Sequence, residues 1–212
     1  MRGCGALENY IEKIKNHVPF IMMDEGIKKS AVCIPFIPNG NSYDVLFEVR
    51  SSQIKAQPGD ICFPGGMIEK GESPEQAAVR EVCEELLIKP EQMEVLGQAD
   101  LFFNPSGLII YPFPALLKDY EDTFSRDEVE EVFRVPLDFF LNTEPDIYYV
   151  EAKIQKSEDF PYEYINGGEN YRWRKQLTSM IFYHWEDKHI WGITAKMMMH
   201  FVNFLKKEKT EE

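Results

Sequence analysis

Alternating apolar and polar positions predict a β-hairpin in the first quarter of the chain. Residues 30–37 are apolar and β-branched, and residues 43–50 alternate between apolar and polar side chains. Between them, residues 38–41 are Pro-Asn-Gly-Asn, a composition typical of a tight turn. The alternation divides the second strand into two faces, with Val45, Phe47 and Val49 on one and Leu46, Glu48 and Arg50 on the other.

A helix that begins after Ser73 has the clearest start signal in the sequence. Ser73 is a suitable N-cap, Pro74 suits the first helical position, and Gln76 completes a capping box. We expect this helix to continue to about Ile88, because Pro90 prevents it from going further.

The remaining patterns predict short elements of both kinds. Strands are expected at residues 94–96, 99–103, 108–117, 148–154 and 180–185. Helices are expected at residues 8–17, 128–133 and 137–141, and the apolar spacing between residues 194 and 205 predicts a final amphipathic helix. Strands and helices alternate irregularly, which predicts an α+β fold in which helices pack on a sheet.

The chain is strongly acidic. Its 212 residues include 23 Lys and Arg against 36 Asp and Glu, which gives a net charge of −13. A field of this sign repels phosphate backbones and anionic lipids, so we expect neither nucleic acid nor a membrane as a partner. An acidic protein that binds a phosphate ester needs locally placed cations, either Arg and Lys side chains or a bound metal ion.

The sequence carries no signal for a membrane span or a zinc site. No apolar run approaches the ~18 residues of a membrane span, and the N-terminal region lacks a signal-peptide core. The four cysteines lack C-x-x-C spacing, and the four histidines lack the spacing of zinc ligands. We therefore expect a reduced, cytoplasmic protein without structural zinc.

Three glutamates, Glu81, Glu84 and Glu85, share one face of the predicted helix. Their spacings of i, i+3 and i+4 confine them to an arc of roughly 100°. The same pattern is also typical of a solvated helix face. Gly65 and Gly66 precede the helix, however, and let the backbone approach a ligand closely. Carboxylates beside such a loop suit Mg²⁺, which commonly bridges protein carboxylates to substrate phosphates.

Residues 66–88 resemble the Nudix box, G-x5-E-x7-R-E-U-x-E-E-x-G-U, where U is aliphatic. The matching residues are in register: Gly66, Glu72, Arg80, Glu81, Val82, Glu84, Glu85 and Ile88. The second motif glycine is Leu87 here, and a left-handed Leu costs roughly 1–2 kcal/mol, so we expect the helix to run on instead. The resemblance implies an α/β/α sandwich of the Nudix type with a mixed central β-sheet.

The resemblance also implies roles for the motif residues. The implied ligands of Mg²⁺ or Mn²⁺ are Glu81, Glu84, Glu85 and the Gly65 carbonyl. Gly66 is implied to lie at the substrate, whereas Glu72 and Arg80 would brace the loop against the helix as an ion pair.

A carboxylate is expected to take the proton of the attacking water. Glu84 is the first candidate for this base, and Glu81 is also assigned to catalysis. Because the base lies outside the box in some members of the family, Glu130 or Glu131 is the alternative. The alternative role for this second pair is that of a solvated acidic helix.

A second pattern lies upstream of the box. Residues 46–66 resemble the signature L-L-T-x-R-S/A-x3-R-x3-G-x3-F-P-G-G, which marks the coenzyme A diphosphatase branch of Nudix enzymes. The spacing is kept throughout, but Phe47 and Glu48 replace Leu-Thr and Lys55 replaces the second Arg. The resemblance implies that Arg50 and Lys55 bind substrate phosphates, with Lys offering less directional contact than Arg. The alternative is an exposed pair of strand-edge cations.

These resemblances imply a Nudix domain at residues 30–206, after an N-terminal helix and lead-in at residues 1–29 and before a polar tail at residues 207–212. The expected reaction is metal-dependent hydrolysis of the diphosphate in coenzyme A or acyl-CoA, giving 3′-phospho-AMP and 4′-phosphopantetheine or its acyl form. The alternatives are another nucleoside diphosphate derivative, such as ADP-ribose or NADH, and a non-catalytic binding protein. A monomer or a homodimer is expected. Aromatic residues near residues 157–169 could contact the substrate or pack the loop, and packing is favoured.

Overall fold

The computed structural model describes residues 13, 15, 17, 26–104, 107–174 and 176–207. Most of the predicted helix at residues 8–17, most of the lead-in and almost all of the polar tail lie outside the described residues. The helices are α1 (Pro74–Leu86), α2 (Leu137–Asn142) and α3 (Gly192–Lys206). The strands are β1 (Lys28–Asn39), β2 (Ser42–Arg50), β3 (Ile61–Cys62), β4 (Gly65–Met67), β5 (Met93–Val95), β6 (Phe102–Asn104), β7 (Leu108–Leu117), β8 (Val129–Pro136), β9 (Asp146–Ala152), β10 (Gln176–Trp185) and β11 (Lys188–Trp191).

The larger sheet is mixed, as the family resemblance implies. Its main order is β3-β2-β1-β7-β5, with β4 paired to β1, β6 to β7 and β8 to β2. β1 and β2 form the predicted antiparallel hairpin, whereas β1 and β7 run parallel. A second, antiparallel sheet has the order β11-β10-β9.

Side-chain alternation along β1 and β2 gives the larger sheet two buried faces. On one face Cys33 and Leu46 pack with Val82 and Leu86 of α1. Because alternate residues of a strand point the same way, Glu48 lies on the α1 face together with Leu46. This confirms the predicted division of the second strand, and it places a carboxylate beneath the helix of the Nudix box.

The opposite face of the larger sheet is covered by α2, α3 and the smaller sheet. Phe36 and Phe47 pack there with Phe140 of α2, Phe201 of α3 and Tyr183 of the smaller sheet. The sheet is therefore covered on both sides, and the predicted α/β/α sandwich is confirmed.

One predicted element is wrong. Residues 128–133 were expected to be helical, but β8 (Val129–Pro136) begins at this point and pairs antiparallel with β2. The acidic and apolar residues of this segment match a helical spacing locally, and pairing with the distant strand β2 overrides that local preference.

Among the described residues, no helix combines the length and the apolar character that a bilayer span needs.

Candidate active site

Helix α1 begins as the capping box predicts. The backbone N–H of Gln76 donates to Ser73 Oγ at 3.2 Å, and the backbone N–H of Ser73 donates to Gln76 Oε1 at 2.9 Å. The apolar side of the helix, including Ala78 and Val82, is buried against the sheet. This packing fixes the rotation of α1 and points the glutamate face at the loop that carries β4.

The three glutamates of α1 differ strongly in exposure. Glu85 is 3% exposed, the side chain of Glu81 is partly buried, and the side chain of Glu84 is 56% exposed. The sequence places the three glutamates on one face but does not distinguish them, whereas in the structure their exposure increases from Glu85 through Glu81 to Glu84. Only Glu84 of the three lies largely in water.

Two glycines of β4 let the loop approach these carboxylates. The backbone N–H of Gly65 donates to Glu85 Oε2 at 2.8 Å. A Cβ atom on Gly66 would lie 2.2 Å from Glu81 Oε1, and one on Gly65 would lie 2.4 Å from the Ala31 carbonyl oxygen. The backbone of β1 excludes a side chain at Gly65, whereas a side chain at Gly66 would have to displace the Glu81 carboxylate.

Arg80 joins the loop to the helix. Its Nε donates to Glu72 Oε1 at 2.9 Å and its Nη2 to Glu72 Oε2 at 3.1 Å, a two-point ion pair. Nη2 also donates to the Met67 carbonyl at 3.1 Å. The Nη1 atom lies 2.8 Å from Glu81 Oε1 and 3.3 Å from Glu84 Oε2, so one guanidinium group bridges two glutamates of the predicted ligand set.

Burial makes ionisation of the inner carboxylates unfavourable. Burial, and next the charge of Glu48, raises the pKa of Glu85 to about 9, against the opposing hydrogen bond from Gly65. Burial also raises the pKa of Glu81, which the hydrogen bond from Arg80 opposes. By contrast, the hydrogen bond from Arg80 lowers the pKa of Glu72. The inner site thus holds more carboxylate than its local cations neutralise.

Glu48 belongs to this site, although sequence reasoning assigned it no role. It is 1% exposed, and its pKa is raised to about 7, chiefly by burial. The Cys62 thiol donates to Glu48 Oε1 at 3.2 Å, whereas Oε2 is buried with no hydrogen-bond partner among the described residues. The signal was the alternation of β2, which places Glu48 on the face that α1 covers.

The acidic segment at the start of β8 contributes a different residue from those predicted. The charge of Glu128 raises the pKa of Glu48, Glu81 and Glu85. Glu130 instead accepts a hydrogen bond from Ser52 Oγ at 3.4 Å, and Glu131 accepts one from Lys188 Nζ at 2.6 Å. Of the acidic residues in this segment, Glu128 is therefore the one whose charge affects the pKa values of the helix glutamates. This arrangement follows from β8 being a strand and not a helix.

A cleft of about 780 Å³ opens beside β4, and Arg50 and Gly65 both line it. The Nε of Arg50 donates to the Ala56 carbonyl at 3.1 Å, which ties the end of β2 to the following loop. Lys55 lies exposed in that loop, next to Ala56. Of the two predicted cations, Arg50 thus lines the cleft, whereas Lys55 is exposed and is not among the lining residues.

The aromatic residues near residues 157–169 mostly contact one another. Ring centroids of Phe160 and Tyr162 are 5.0 Å apart, and those of Tyr171 and Trp173 are 4.9 Å apart. Phe160 also contacts Trp173 at 5.9 Å, whereas Tyr164 is exposed. The favoured interpretation, that these rings pack the loop, agrees with this arrangement.

Comparison with known proteins identifies the family. The Nudix domain family matches residues 27–153, which is more than half of the chain. The chain belongs to the Nudix family. The match covers the strand that carries Arg50, the two glycines of β4 and the whole of α1.

Two curated Nudix relatives are named as peroxisomal coenzyme A diphosphatases. NUDT7 of Mus musculus is 34% identical over 134 residues, which are 62% of this chain and 56% of the relative. The protein ndx-8 of Caenorhabditis elegans is 41% identical over 102 residues, which are 46% of this chain and 43% of the relative. The chain thus spans about half the length of these two relatives.

A third relative aligns over almost the whole chain. The Nudix hydrolase NudL of Pectobacterium atrosepticum is 28% identical over 199 residues, which are 91% of each protein. Among solved structures, a MutT/nudix family protein from Enterococcus faecalis superposes with a TM-score of 0.51 at 16% identity, covering 99% of this chain and 73% of that one. This structural likeness supports the Nudix fold.

The helix of the Nudix box ends differently from our expectation. The second Nudix glycine is replaced by Leu87, and we expected the helix to continue through it to about Ile88. Instead α1 ends at Leu86, and Leu87 takes the left-handed conformation with φ 54° and ψ 39°. The expectation was wrong because Leu87 keeps the backbone of the glycine it replaces and leaves its own side chain 60% exposed.

Nudix hydrolases generally require divalent metal ions, and the donor chemistry here fits one. Among the described residues, no three His, Cys, Asp or Glu side chains are already close enough together to hold a metal ion. However, the buried carboxylates have raised pKa values, one Glu48 oxygen lacks a partner, and Glu81 and Glu84 already share the Nη1 group of Arg80. Such hard, under-neutralised oxygen donors suit Mg²⁺ or Mn²⁺.

Proposed function

We propose that this protein hydrolyses the diphosphate linkage of coenzyme A or its acyl thioesters. The products would be 3′-phospho-AMP and 4′-phosphopantetheine or its acyl form. The observation that carries the proposal is that Arg50, from the upstream signature, lines the same cleft as Gly65, whose N–H binds Glu85 of the Nudix helix. The names of the two partly aligned relatives, coenzyme A diphosphatases, support the same substrate.

In this proposal Glu81, Glu84 and Glu85, with the Gly65 carbonyl, hold Mg²⁺ or Mn²⁺. When bound, the metal supplies positive charge that stabilises the negative oxygens of the diphosphate. Glu72 keeps Arg80 in place through its two-point ion pair. Arg80 would have to release Glu81 and Glu84 for both carboxylates to serve as ligands, since its Nη1 bridges them in this structure.

Substrate phosphates would be held by Arg50 in the cleft and by Lys55, which is exposed in the loop that follows β2. Arg50 offers a planar group that contacts two phosphate oxygens, whereas Lys55 offers a single charge. The absence of a side chain on Gly66 leaves the backbone of β4 open to the substrate and leaves room for Glu81. These local cations would offset the net negative charge of the chain, which would otherwise repel a diphosphate.

The base that we propose is Glu84. It is the most exposed of the three helix glutamates, so its carboxylate is accessible to the attacking water. As the water oxygen bonds to phosphorus, the bridging P–O bond breaks and a water proton moves to Glu84 Oε2. Glu81, which is also assigned to catalysis, would serve as a metal ligand one helical turn before this carboxylate. Glu130 stays an alternative base, to be separated from Glu84 by mutation.

The test is steady-state hydrolysis of CoA with Mg²⁺ or Mn²⁺, comparing Glu84→Gln with Glu75→Gln. Glu75 is an exposed glutamate on the first turn of the same helix, outside the site. We expect Glu84→Gln to lower kcat by roughly 10²–10⁴-fold, and Glu75→Gln and Glu130→Gln to leave it nearly unchanged. Chelator should abolish turnover, and Arg50→Ala should raise KM for CoA.

Three results would contradict parts of the proposal. A large loss in Glu130→Gln with little loss in Glu84→Gln would move the base to β8. Faster hydrolysis of ADP-ribose or NADH than of CoA would replace the substrate and leave the Nudix chemistry in place. Binding of CoA without turnover of any of these compounds would indicate a binding protein. Cytoplasmic location, the lack of a nucleic acid partner and the monomer or homodimer state stay predictions.

A further inference from the structure

Two histidines meet at the end of the hairpin formed by β10 and β11. His184 on β10 lies directly opposite His189 on β11, and both side chains are exposed. Their Nδ1 atoms are 2.9 Å apart, with ring centroids separated by 5.0 Å and planes inclined at 78°. Neither residue lines the cleft, so the pair is separate from the site described above.

The His184 ring is oriented by two neighbours. Its Nε2 atom lies 3.3 Å from Oδ2 of Asp146, the first residue of β9. Its plane stacks on Phe182, with centroids 6.3 Å apart and an angle of 10°. A carboxylate that accepts the Nε2 proton leaves the Nδ1 lone pair available, which is the usual arrangement around a histidine that binds a metal ion. Nδ1 of His184 is therefore directed at His189 and prepared to bind.

The space between the two Nδ1 atoms suits a cation. Two imidazole lone pairs cannot face each other at 2.9 Å unless a proton or a metal ion lies between them. With metal–nitrogen distances of about 2.0–2.1 Å, this separation gives an angle of about 90° at the metal. Adjacent ligands of Ni²⁺ and Cu²⁺ have this angle in their tetragonal geometry. Widening the separation by about 0.4 Å would give the tetrahedral angle of Zn²⁺.

The charges around the pair also favour a cation. Asp146 lies on its β9 side, and the turn between the two strands adds the exposed Glu186. The adjacent Lys188 points to the opposite face of β11 from His189, because neighbouring strand residues alternate. Its Nζ donates to Glu131 of β8 at 2.6 Å, so its positive charge is directed away from the pair.

We propose that His184 and His189 form a second metal site, which binds a divalent transition metal ion that prefers imidazole nitrogen: Ni²⁺, Cu²⁺ or Zn²⁺. Asp146 is the positioning residue of this site. The protein supplies two ligands and water completes the coordination, since no third His, Cys, Asp or Glu among the described residues joins them. The carboxylates beside α1 suit harder ions, so the two sites select different metals. The proposal is independent of the substrate of the cleft.

The test is calorimetric titration of the untagged protein with Ni²⁺, in the presence of saturating Mg²⁺ to occupy the carboxylate site. We expect the affinity for Ni²⁺ to fall at least roughly 100-fold in His184→Gln and His189→Gln, and about tenfold in Asp146→Ala. The altered side chains are exposed, so the variants should fold and hydrolyse CoA at the rate of the wild type. His200→Gln is the matched control, because His200 is exposed on α3 outside the pair, and it should bind Ni²⁺ normally.

A spectroscopic readout identifies the ligands directly. Cu²⁺ bound to the wild-type protein should show magnetic coupling to two imidazole nitrogens in pulsed electron paramagnetic resonance. His184→Gln and His189→Gln should each reduce this to one imidazole or abolish binding. Equal Ni²⁺ affinity in the wild type and both variants, or a Cu²⁺ spectrum without imidazole coupling, would overturn the proposal, because the metal would then be bound elsewhere and only a proton would join the two rings.

Discussion

At the residue scale, Gly66 determines how close Glu81 comes to the loop of the Nudix box. A Cβ atom at this position would lie within 2.2 Å of Oε1 and 2.3 Å of Cδ of Glu81. Gly66 lacks the positive φ that Gly65 has, so a side chain here meets a steric conflict with the carboxylate and no backbone strain.

We predict that Gly66→Ala displaces the Glu81 carboxylate and lowers kcat at least roughly 100-fold, because misplacing a reacting group by about 1 Å can cost that much. The measurement is CoA hydrolysis together with the thermal midpoint of unfolding. Met67→Ala is the control, since Met67 follows Gly66 on β4 and its side chain is exposed. A fully active Gly66→Ala protein would mean that the position of Glu81 in this structure is not the one used in catalysis.

Glu48 gives the second prediction, which concerns pH. Its pKa is raised from 4.5 to about 7, mainly by burial, so the folded protein retains a proton that the unfolded chain has released. The free energy of unfolding should therefore fall as pH rises from about 4.5 to 7, by at most about 1.4 kcal/mol per pH unit for this one group. Glu48→Gln stays neutral and should not show this part of the loss.

The measurement is denaturant unfolding in chelator between about pH 5 and pH 8. The stability of Glu48→Gln relative to wild type should increase across the lower part of this range and become constant above about pH 7, where the folded Glu48 is ionised as well. Glu158→Gln, at an exposed position, serves as the control. A stability difference that does not change with pH would show that Glu48 ionises normally despite its burial.

At the element scale, the end of α1 carries backbone strain that the Nudix motif normally avoids with glycine. Leu87 has φ 54°, a conformation that costs a side chain roughly 1–2 kcal/mol. We predict that Leu87→Gly stabilises the protein by about 1 kcal/mol in denaturant unfolding and leaves kcat unchanged, because the glutamates lie upstream.

The matched control is Leu87→Ala, which removes most of the same exposed side chain and keeps the Cβ atom that causes the strain. Equal effects of Ala and Gly would show that the side chain, and not the backbone conformation, determines stability at this position.

The elements differ in how well the sequence predicts them, and the difference follows the range of the interactions. The start of α1 was predictable because Ser73 and Gln76 are three residues apart and bond to each other. β8 was not predictable from its own residues, because its conformation depends on pairing with β2. The left-handed Leu87 was missed for the same reason, since local cost argued against it and packing of the helix end overrides that cost.

At the scale of the whole molecule, the chain has a net charge of −13, and the proposed function requires part of it to bind an anionic diphosphate. The sequence identified the carboxylates and Arg50 through their motifs, and the structure gathers Arg50 and Gly65 at one cleft. The graded burial of the three helix glutamates and the contribution of Glu48 depend on how α1 covers the sheet. Neither could be derived from spacing alone, because helical spacing gives a shared face and not its depth.

The central claim concerns the substrate of the cleft, and a competition experiment tests it most directly. The protein would be incubated with Mn²⁺ and an equimolar mixture of CoA, dephospho-CoA, ADP-ribose and NADH, and the products followed by mass spectrometry. In such a mixture the relative rates report the ratios of kcat/KM. We predict that CoA is consumed first and yields 3′-phospho-AMP and 4′-phosphopantetheine, and that chelator stops the reaction. Preferential consumption of ADP-ribose or NADH, with CoA left intact, would contradict it.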